Sequence, residues 1–177
     1  ALEARVGAVR EAVGPDVALR LDFNGSLSAE WAEDVLGQVA RFDIEYAEQP
    51  IPPGAGAAAM ARLRWTGAVP IAADESVRDL GAARILLDTG AIDALVVKPA
   101  RVGGLRQARA IIELAAAANV PVTVSTLFET GVGLAGALHL AATAPGPQAH
   151  GLATAPLLES DLLPEPLAIR DGRMAVP

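Results

Sequence analysis

The chain has 177 residues, enough for one domain, and 52% of them are hydrophobic while only 3% are aromatic, so its core must be built from Ala, Val, Leu and Ile. The net charge of −7 gives nucleic-acid binding no electrostatic support, and the absence of cysteine excludes disulfides and thiolate metal sites. No apolar run approaches the length of a membrane span and the first residues already look helical, so we expect no membrane segment and no signal peptide. The absence of cysteine fits a reducing compartment, and we expect the cytoplasm.

Strand-like and helix-like segments alternate along the chain. The apolar residues Leu2, Val6, Val9 and Val13 recur at helical spacing and predict an opening helix. Ser28 and Asp79 are the predicted N-caps of two later helices, and the first of these carries Trp31 on its apolar face. The predicted strands are 17–21, 44–47, 69–73, 92–97, 120–124 and a short 149–153, and the predicted later helices are 29–40, 57–63, 80–88, 105–118 and 133–144.

The end of the chain carries two weaker strand signals, at 167–170 and 174–176. Asp171-Gly172 lies between them, and this dipeptide is typical of a two-residue hairpin turn.

These strand-helix units fit either an open doubly wound sheet or part of an eight-stranded barrel. A complete barrel needs about 250 residues, so this chain fits about six of the eight units. A doubly wound sheet concentrates its chemistry at one switch point, whereas here a charged residue follows most strands. We therefore predict an α/β fold of the TIM-type (β/α) barrel class, with about six strand-helix units.

Four charged residues follow four successive predicted strands. Asp22, Glu48, Asp74 and Lys98 are separated by 26, 26 and 24 residues, the spacing of repeated strand-helix units. Neighbouring strands lie about 4.8 Å apart, so the three carboxylates would repel one another without a cation between them. Ligands that are all oxygen favour Mg²⁺ first and Mn²⁺ second. The alternative is that these are ordinary acids facing water at strand ends.

Other polar residues follow the fourth, fifth and sixth predicted strands. Lys98 facing a metal site would be an acid-base or electrostatic group, although a surface lysine in a salt bridge is the alternative. Ser125 and Thr126 precede a glycine-containing segment, so their hydroxyls and nearby N–H groups suit an anionic substrate group. Simple helix capping explains that segment equally well. His150 beside Gly151 gives only a weak signal.

Four motifs, in order and at these spacings, resemble the barrel domain of the enolase superfamily, muconate-lactonising subgroup. They are Leu21-Asp22-Phe23-Asn24-Gly25, Glu48-Gln49-Pro50, Ala73-Asp74-Glu75-Ser76 and Val97-Lys98-Pro99. The resemblance implies that Asp22, Glu48 and Asp74 bind Mg²⁺, which holds a substrate carboxylate and stabilises the enediolate formed on loss of a proton. It also implies that Lys98 is catalytic, that Asn24 lies beside the metal, and that Gln49 and Glu75 support the ligands.

Within this subgroup, dipeptide epimerases carry an Asp-x-Asp motif after the last strand, where this chain has Gly151-Leu152-Ala153-Thr154. That element and the segment from Ser125 resemble the o-succinylbenzoate synthases, lyases that dehydrate a cyclohexadiene carboxylate in menaquinone biosynthesis. The resemblance implies that Ser125, Thr126 and Gly151 bind this small carboxylate. N-succinylamino acid racemases share the same features and stay an alternative.

The chain departs from the subgroup at its start, because it contains no Lys-x-Lys motif of the kind that supplies the second catalytic lysine. We expect the capping domain and the first two barrel strands to lie upstream, and the segment alone to be inactive. A complementing N-terminal segment or a homo-oligomer is the expected partner. The alternative from another class is a non-catalytic barrel piece that serves as a scaffold.

Overall fold

The computed structural model describes residues 2–177, which form two compact units. The first unit contains the chain up to Ser76 together with 84–94, and the second contains 77–83 and 95–177. The helices are α1 (Leu2–Val13), α2 (Ala29–Val39), α3 (Gly56–Thr66), α4 (Leu80–Asp88), α5 (Leu105–Ala117) and α6 (Gly131–Ala141). The strands are β1 (Leu19–Asp22), β2 (Ile44–Glu48), β3 (Ile71–Ala73), β4 (Ala94–Val97), β5 (Val122–Val124), β6 (Ile169–Arg170) and β7 (Arg173–Met174), with 3₁₀ turns at Ala40–Phe42, Pro53–Ala55 and Ala155–Leu157.

The first unit is built on the parallel strands β1, β2 and β3. Leu19 lies opposite Ile44, an irregularity follows, and the register then continues to Asp22 opposite Glu48. β3 is buried along its whole length, as expected for a parallel strand with both faces covered. The helices α2 and α3 contribute the core residues Ala32, Leu36, Val39, Met60, Ala61 and Leu63.

Two charged side chains fasten helices of this unit to its strands. The Arg10 guanidinium on α1 donates to the carbonyls of Gly14 and Val17 and, farther along the chain, to those of Phe42 and Asp43. Asp93 receives the Nε–H of Arg64 on α3 at 2.7 Å and the backbone N–H of Ile71 on β3 at 2.9 Å. Arg10 and Asp93 therefore provide hydrogen-bond partners for main-chain groups that would be unpaired at the end of a strand or a helix.

The second unit contains the parallel pair β4 and β5, joined by α5. Both strands are fully buried, in agreement with the apolar runs that predict them. The predicted sixth strand at 149–153 is wrong as a strand, since only an isolated bridge joins Ser125 to Gly151. Side chains take two of the ladder positions there: Gln148 donates to the Val122 carbonyl at 3.0 Å, and His150 Nδ1 accepts the Val124 N–H at 3.1 Å.

Capping and turn signals are confirmed more closely than the helix faces. Ser28 accepts the Trp31 N–H, Asp79 accepts the Ala82 N–H, and Asp171-Gly172 turns between β6 and β7 with φ of 51° and 71°. The predicted burial of Trp31 is wrong, because 71% of it is exposed. The predicted opening helix is confirmed as α1, in which Val6 is buried while Val9 and Val13 are exposed.

Candidate functional site

The three strand-end carboxylates all belong to the first unit. Asp22 is the last residue of β1 and lies directly opposite Glu48, the last residue of β2. Asp74 follows β3 directly and is only 1% exposed. The equal spacing in the sequence thus becomes a set of acids at the carboxyl ends of neighbouring parallel strands, where this class of fold places its chemistry.

Asn24 links the turn after β1 to the turn after β3. Its backbone N–H and its side-chain amide donate to the two carboxylate oxygens of Asp22, at 2.9 Å and 3.0 Å. The same amide donates to Glu75 Oε1 at 3.4 Å, whereas Glu75 Oε2 is buried without a hydrogen-bond partner. Asn24 has a φ of 45°, a left-handed conformation that asparagine tolerates better than most residues. Glu75 therefore retains an acceptor oxygen that only a cation or a donor would satisfy.

Gln49 is fully buried between the same two turns. Its amide oxygen accepts the backbone N–H groups of Asp74 and Ser76, at 3.1 Å and 3.0 Å. Its amide nitrogen donates to Ser76 Oγ at 2.9 Å and to the Ile51 carbonyl at 2.7 Å. Every hydrogen-bonding capacity of the side chain is used, as a buried amide requires.

The donor set suits a hard divalent cation. Asp22, Glu48 and Asp74 offer only oxygen, the ligand type that Mg²⁺ prefers, and the unpartnered Glu75 oxygen adds acceptor capacity nearby in the chain. Within residues 2–177, however, no three acid, histidine or cysteine side chains lie together as a ready-made metal-binding group. The fit to a cation therefore rests on the chemistry of the donors and on their positions at neighbouring strand ends.

Lys98 belongs to the second unit and follows β4 directly. It is the only lysine in the sequence, all other basic residues being arginine apart from the two histidines. Its carbonyl accepts the N–H groups of Arg101 and Val102, so the turn after β4 is fixed by its own main chain. The side chain is half-buried.

The hydroxyl residues after β5 gather around Gly151. Ser125 Oγ donates to the Gly151 carbonyl at 3.1 Å, and Thr126 Oγ1 lies 3.3 Å from the same oxygen. A Cβ on Gly151 would lie 2.7 Å from Ser125 Oγ, so the two positions constrain each other. Thr126 Oγ1 and Thr154 Oγ1 are 2.9 Å apart. Thr154 is thus a polar member of this group that the sequence interpretation did not name as a binding residue.

The glycines after Thr126 lead into α6, whose first N–H group, that of Gly131, has a partner. Asp161 accepts the N–H groups of Gly131 and Leu162. Both hydrogen bonds lower the pKa of the Asp161 carboxyl, and the one from Gly131 has the larger effect. Thr130 occupies the N-cap position without a side-chain hydrogen bond. No local sequence pattern points to Asp161, because it lies thirty residues from the amide that it caps.

Comparison with known proteins decides the family. Residues 2–177 match the family described as enolase C-terminal domain-like. The chain belongs to this family. The resemblance stated from the four motifs is thereby confirmed, and so is the α/β barrel class of the fold.

Relatives within the family carry several activities. The o-succinylbenzoate synthase of Thermobifida fusca (strain YX) is 42% identical over 174 residues, which are 98% of this chain and 53% of that protein. The muconate cycloisomerase structure from Pseudomonas fluorescens matches with a TM-score of 0.90 and 29% identity, over 99% of this chain and 48% of that one. A dipeptide epimerase from Cytophaga hutchinsonii, in complex with Mg and the dipeptide D-Ala-L-Val, matches with a TM-score of 0.91 and 28% identity, over 99% and 48%.

This enolase-family chain spans about half the length of the curated relatives that it matches. None of the helices within residues 2–177 has the length and apolar character that crossing a bilayer requires. What the family leaves open is which of its reactions these side chains serve.

Proposed function

We propose that the protein containing this chain is an o-succinylbenzoate synthase-like lyase that uses Mg²⁺ to dehydrate a cyclohexadiene carboxylate in cytoplasmic menaquinone biosynthesis. The observation that carries the proposal is the 42% identity to such a synthase along 98% of the chain. The dipeptide epimerase and muconate cycloisomerase structures are less similar in sequence, at 28% and 29%.

In this proposal Asp22, Glu48 and Asp74 hold the cation. Support comes from the register that sets Asp22 opposite Glu48 and from the burial of Asp74. The epimerase relative in complex with Mg supports the choice of metal. When bound, the cation supplies positive charge against a substrate carboxylate. Asn24 donates to both Asp22 and Glu75 and so holds these two carboxylates close together.

Ser125, Thr126 and Gly151 would receive the part of the substrate remote from the reacting carbon. The absence of an acid in Gly151-Leu152-Ala153-Thr154 argues against a substrate with a free ammonium group. At Gly151 itself an acid does not fit, because a side chain there would meet Ser125 Oγ at 2.7 Å. Hydroxyl donors and a bare backbone suit a neutral or anionic substrate end instead.

Lys98 would stabilise the negative charge that develops on the substrate when the carbon beside its carboxylate loses a proton. The ammonium of a lysine is a compact point charge suited to that purpose. This role predicts that Lys98→Arg, which keeps the charge but changes its shape and position, restores little activity to an inactive Lys98→Ala variant.

The test of substrate is a three-way comparison on the full-length gene product. We expect dehydration of the o-succinylbenzoate precursor and no epimerisation of alanyl-glutamate. Racemisation of N-succinyl amino acids alongside dehydration would be compatible with the same pocket. Efficient epimerisation of the dipeptide without dehydration would refute the proposal, and no activity on any of the three would favour the scaffold alternative.

The test of the metal site is calorimetric titration of the full-length gene product with Mg²⁺. Asp74→Asn should weaken binding strongly, because it removes a buried anionic ligand. Asp88→Asn, an exposed acid at the end of α4, is the matched control and should bind as the wild type does. Equal affinity in the two variants would refute the ligand assignment.

A further inference from the structure

Gln49 combines full burial with an unusual backbone conformation. Its φ is 38°, in the left-handed region that side chains other than glycine rarely adopt. It also precedes Pro50, and a residue before proline is normally driven to extended conformations. A conformation of this kind persists only where the surroundings hold it in place.

The main chain at Gln49 holds the turn after β1. Its carbonyl accepts the Gly25 N–H at 2.7 Å, and the neighbouring Glu48 carbonyl accepts the Phe23 N–H at 3.0 Å. Gly25 has a φ of 68°, and a Cβ there would lie 3.0 Å from Pro52 Cα. The turn that carries Asp22 and Asn24 therefore lies directly against the segment that follows Gln49.

The side chain of Gln49 holds the turn after β3, through the N–H groups of Asp74 and Ser76 and through Ser76 Oγ. One residue thus joins the ends of all three strands that carry Asp22, Glu48 and Asp74. The side-chain oxygen of Gln49 is not available to a cation, because both of its acceptor positions are occupied.

We propose that Gln49 is a positioning residue, which fixes the spacing of the three carboxylates by fastening the turns after β1 and β3 to the end of β2. The inference rests on the proposed function for the cation that the carboxylates hold. In this inference the Gln49 amide determines the position of Asp74 relative to Glu48. Removing the amide frees the Asp74–Ser76 turn and weakens cation binding without removing any ligand.

The experiment compares Gln49→Met, Gln49→Glu and the wild type, all as full-length gene product. Methionine is similar in size and makes none of the four hydrogen bonds, whereas glutamate keeps an oxygen for the two N–H groups. Gln38→Met, an exposed glutamine on α2, is the matched control. The measurements are Mg²⁺ affinity by calorimetry and hydrogen exchange of the peptide containing 74–76, recorded without metal.

We expect Gln49→Met to bind Mg²⁺ about 10–100-fold more weakly, the range for partners that orient metal ligands, with faster exchange at 74–76. Gln49→Glu should fall between Gln49→Met and the wild type, and Gln38→Met should match the wild type. Unchanged affinity and exchange in Gln49→Met would overturn the inference. If Gln49→Met does not fold, wild-type affinity and exchange in Gln49→Glu would overturn it instead.

Failure of the proposed function has a different signature. A wild type that binds no Mg²⁺ would refute the metal-dependent lyase. The exchange data would then decide the role of Gln49 alone: faster exchange at 74–76 in Gln49→Met still supports the fastening of the turn, and unchanged exchange refutes it.

Discussion

The contact between Gly151 and Ser125 makes a quantitative prediction about stability. In Gly151→Ala the new Cβ would lie 2.7 Å from Ser125 Oγ and 3.2 Å from Ser125 Cβ. The hydroxyl can turn away, but it then gives up its hydrogen bond to the Gly151 carbonyl. The contact with Ser125 Cβ persists in every rotamer, because Cβ does not move with χ1.

The balance of opposing effects fixes the expected size. Overpacking costs ~1–3 kcal/mol in a packed core. Because Gly151 is exposed, the low end of that range applies, and the lost hydrogen bond adds ~1 kcal/mol. The alanine also restricts the unfolded chain, which returns ~0.4–1 kcal/mol where the backbone tolerates it, and Gly151 has no positive φ. The steric contact and the lost hydrogen bond together outweigh this gain, so we expect Gly151→Ala to lower the free energy of unfolding by ~1 kcal/mol.

A double-mutant cycle in urea, on the full-length gene product, tests this reasoning. Ser125→Ala alone should cost ~0.5 kcal/mol, at the low end for a hydrogen bond, because Thr126 still serves the Gly151 carbonyl. In that background Gly151→Ala no longer meets the hydroxyl, so the two changes should cost at least ~1 kcal/mol less together than separately. Gly37→Ala, with nothing within 4 Å, should stabilise α2. Additive effects at Ser125 and Gly151 would refute the steric account.

Three further predictions concern single side chains. Arg10→Ala should lower the free energy of unfolding by ~2 kcal/mol, because four carbonyls lose a charged donor. Arg10→Lys should restore less than half of this loss, because an ammonium lacks the forked geometry of the guanidinium. Full restoration by lysine in urea unfolding would contradict this account. Asp93→Ala should lower the free energy of unfolding by ~2 kcal/mol, and Asp93→Asn by about half of that, since asparagine still accepts the Ile71 N–H. Equal losses in the two variants would contradict this. Because its hydrogen bond to Gly131 lowers the pKa of Asp161, the Gly131 amide NMR shift should titrate at a lower pH than an ordinary aspartate does. The Asp161 cap stabilises the fold above the ordinary aspartate pKa and is lost as pH falls through the lowered one, so Asp161→Asn should abolish the transition.

Local patterns predicted the elements whose cause is itself local. The apolar runs ending at Ala73 and Val97 predict parallel strands because both faces of such strands are covered. Ser28 and Asp79 act on N–H groups three residues later, so their capping role is readable from sequence alone. For the same reason the equal spacing of strand-end acids predicted that Asp22 and Glu48 would face each other across neighbouring strands.

Features that depend on distant segments were not predictable in this way. The predicted sixth strand is reduced to one bridge at Gly151, and the side chains of Gln148 and His150 bond the rest of β5. Nothing in the alternation of residues 149–153 distinguishes the two solutions. Likewise the Gly131 N–H at the start of α6 is capped by Asp161, whereas Thr130 at the N-cap position makes no side-chain hydrogen bond.

Gln49 is where the local rule and the structure disagree most. The dipeptide Gln49-Pro50 predicts an extended residue and the end of a strand, and the strand does end at Glu48. Its φ of 38° is what the rule does not allow for, and the four side-chain hydrogen bonds explain how this conformation is held. In the proposed cation site, three like charges at neighbouring strand ends need a fixed backbone, since otherwise repulsion would spread the turns apart. A locally unfavourable residue is therefore expected at that point, because the sequence there is constrained by the site rather than by the strand.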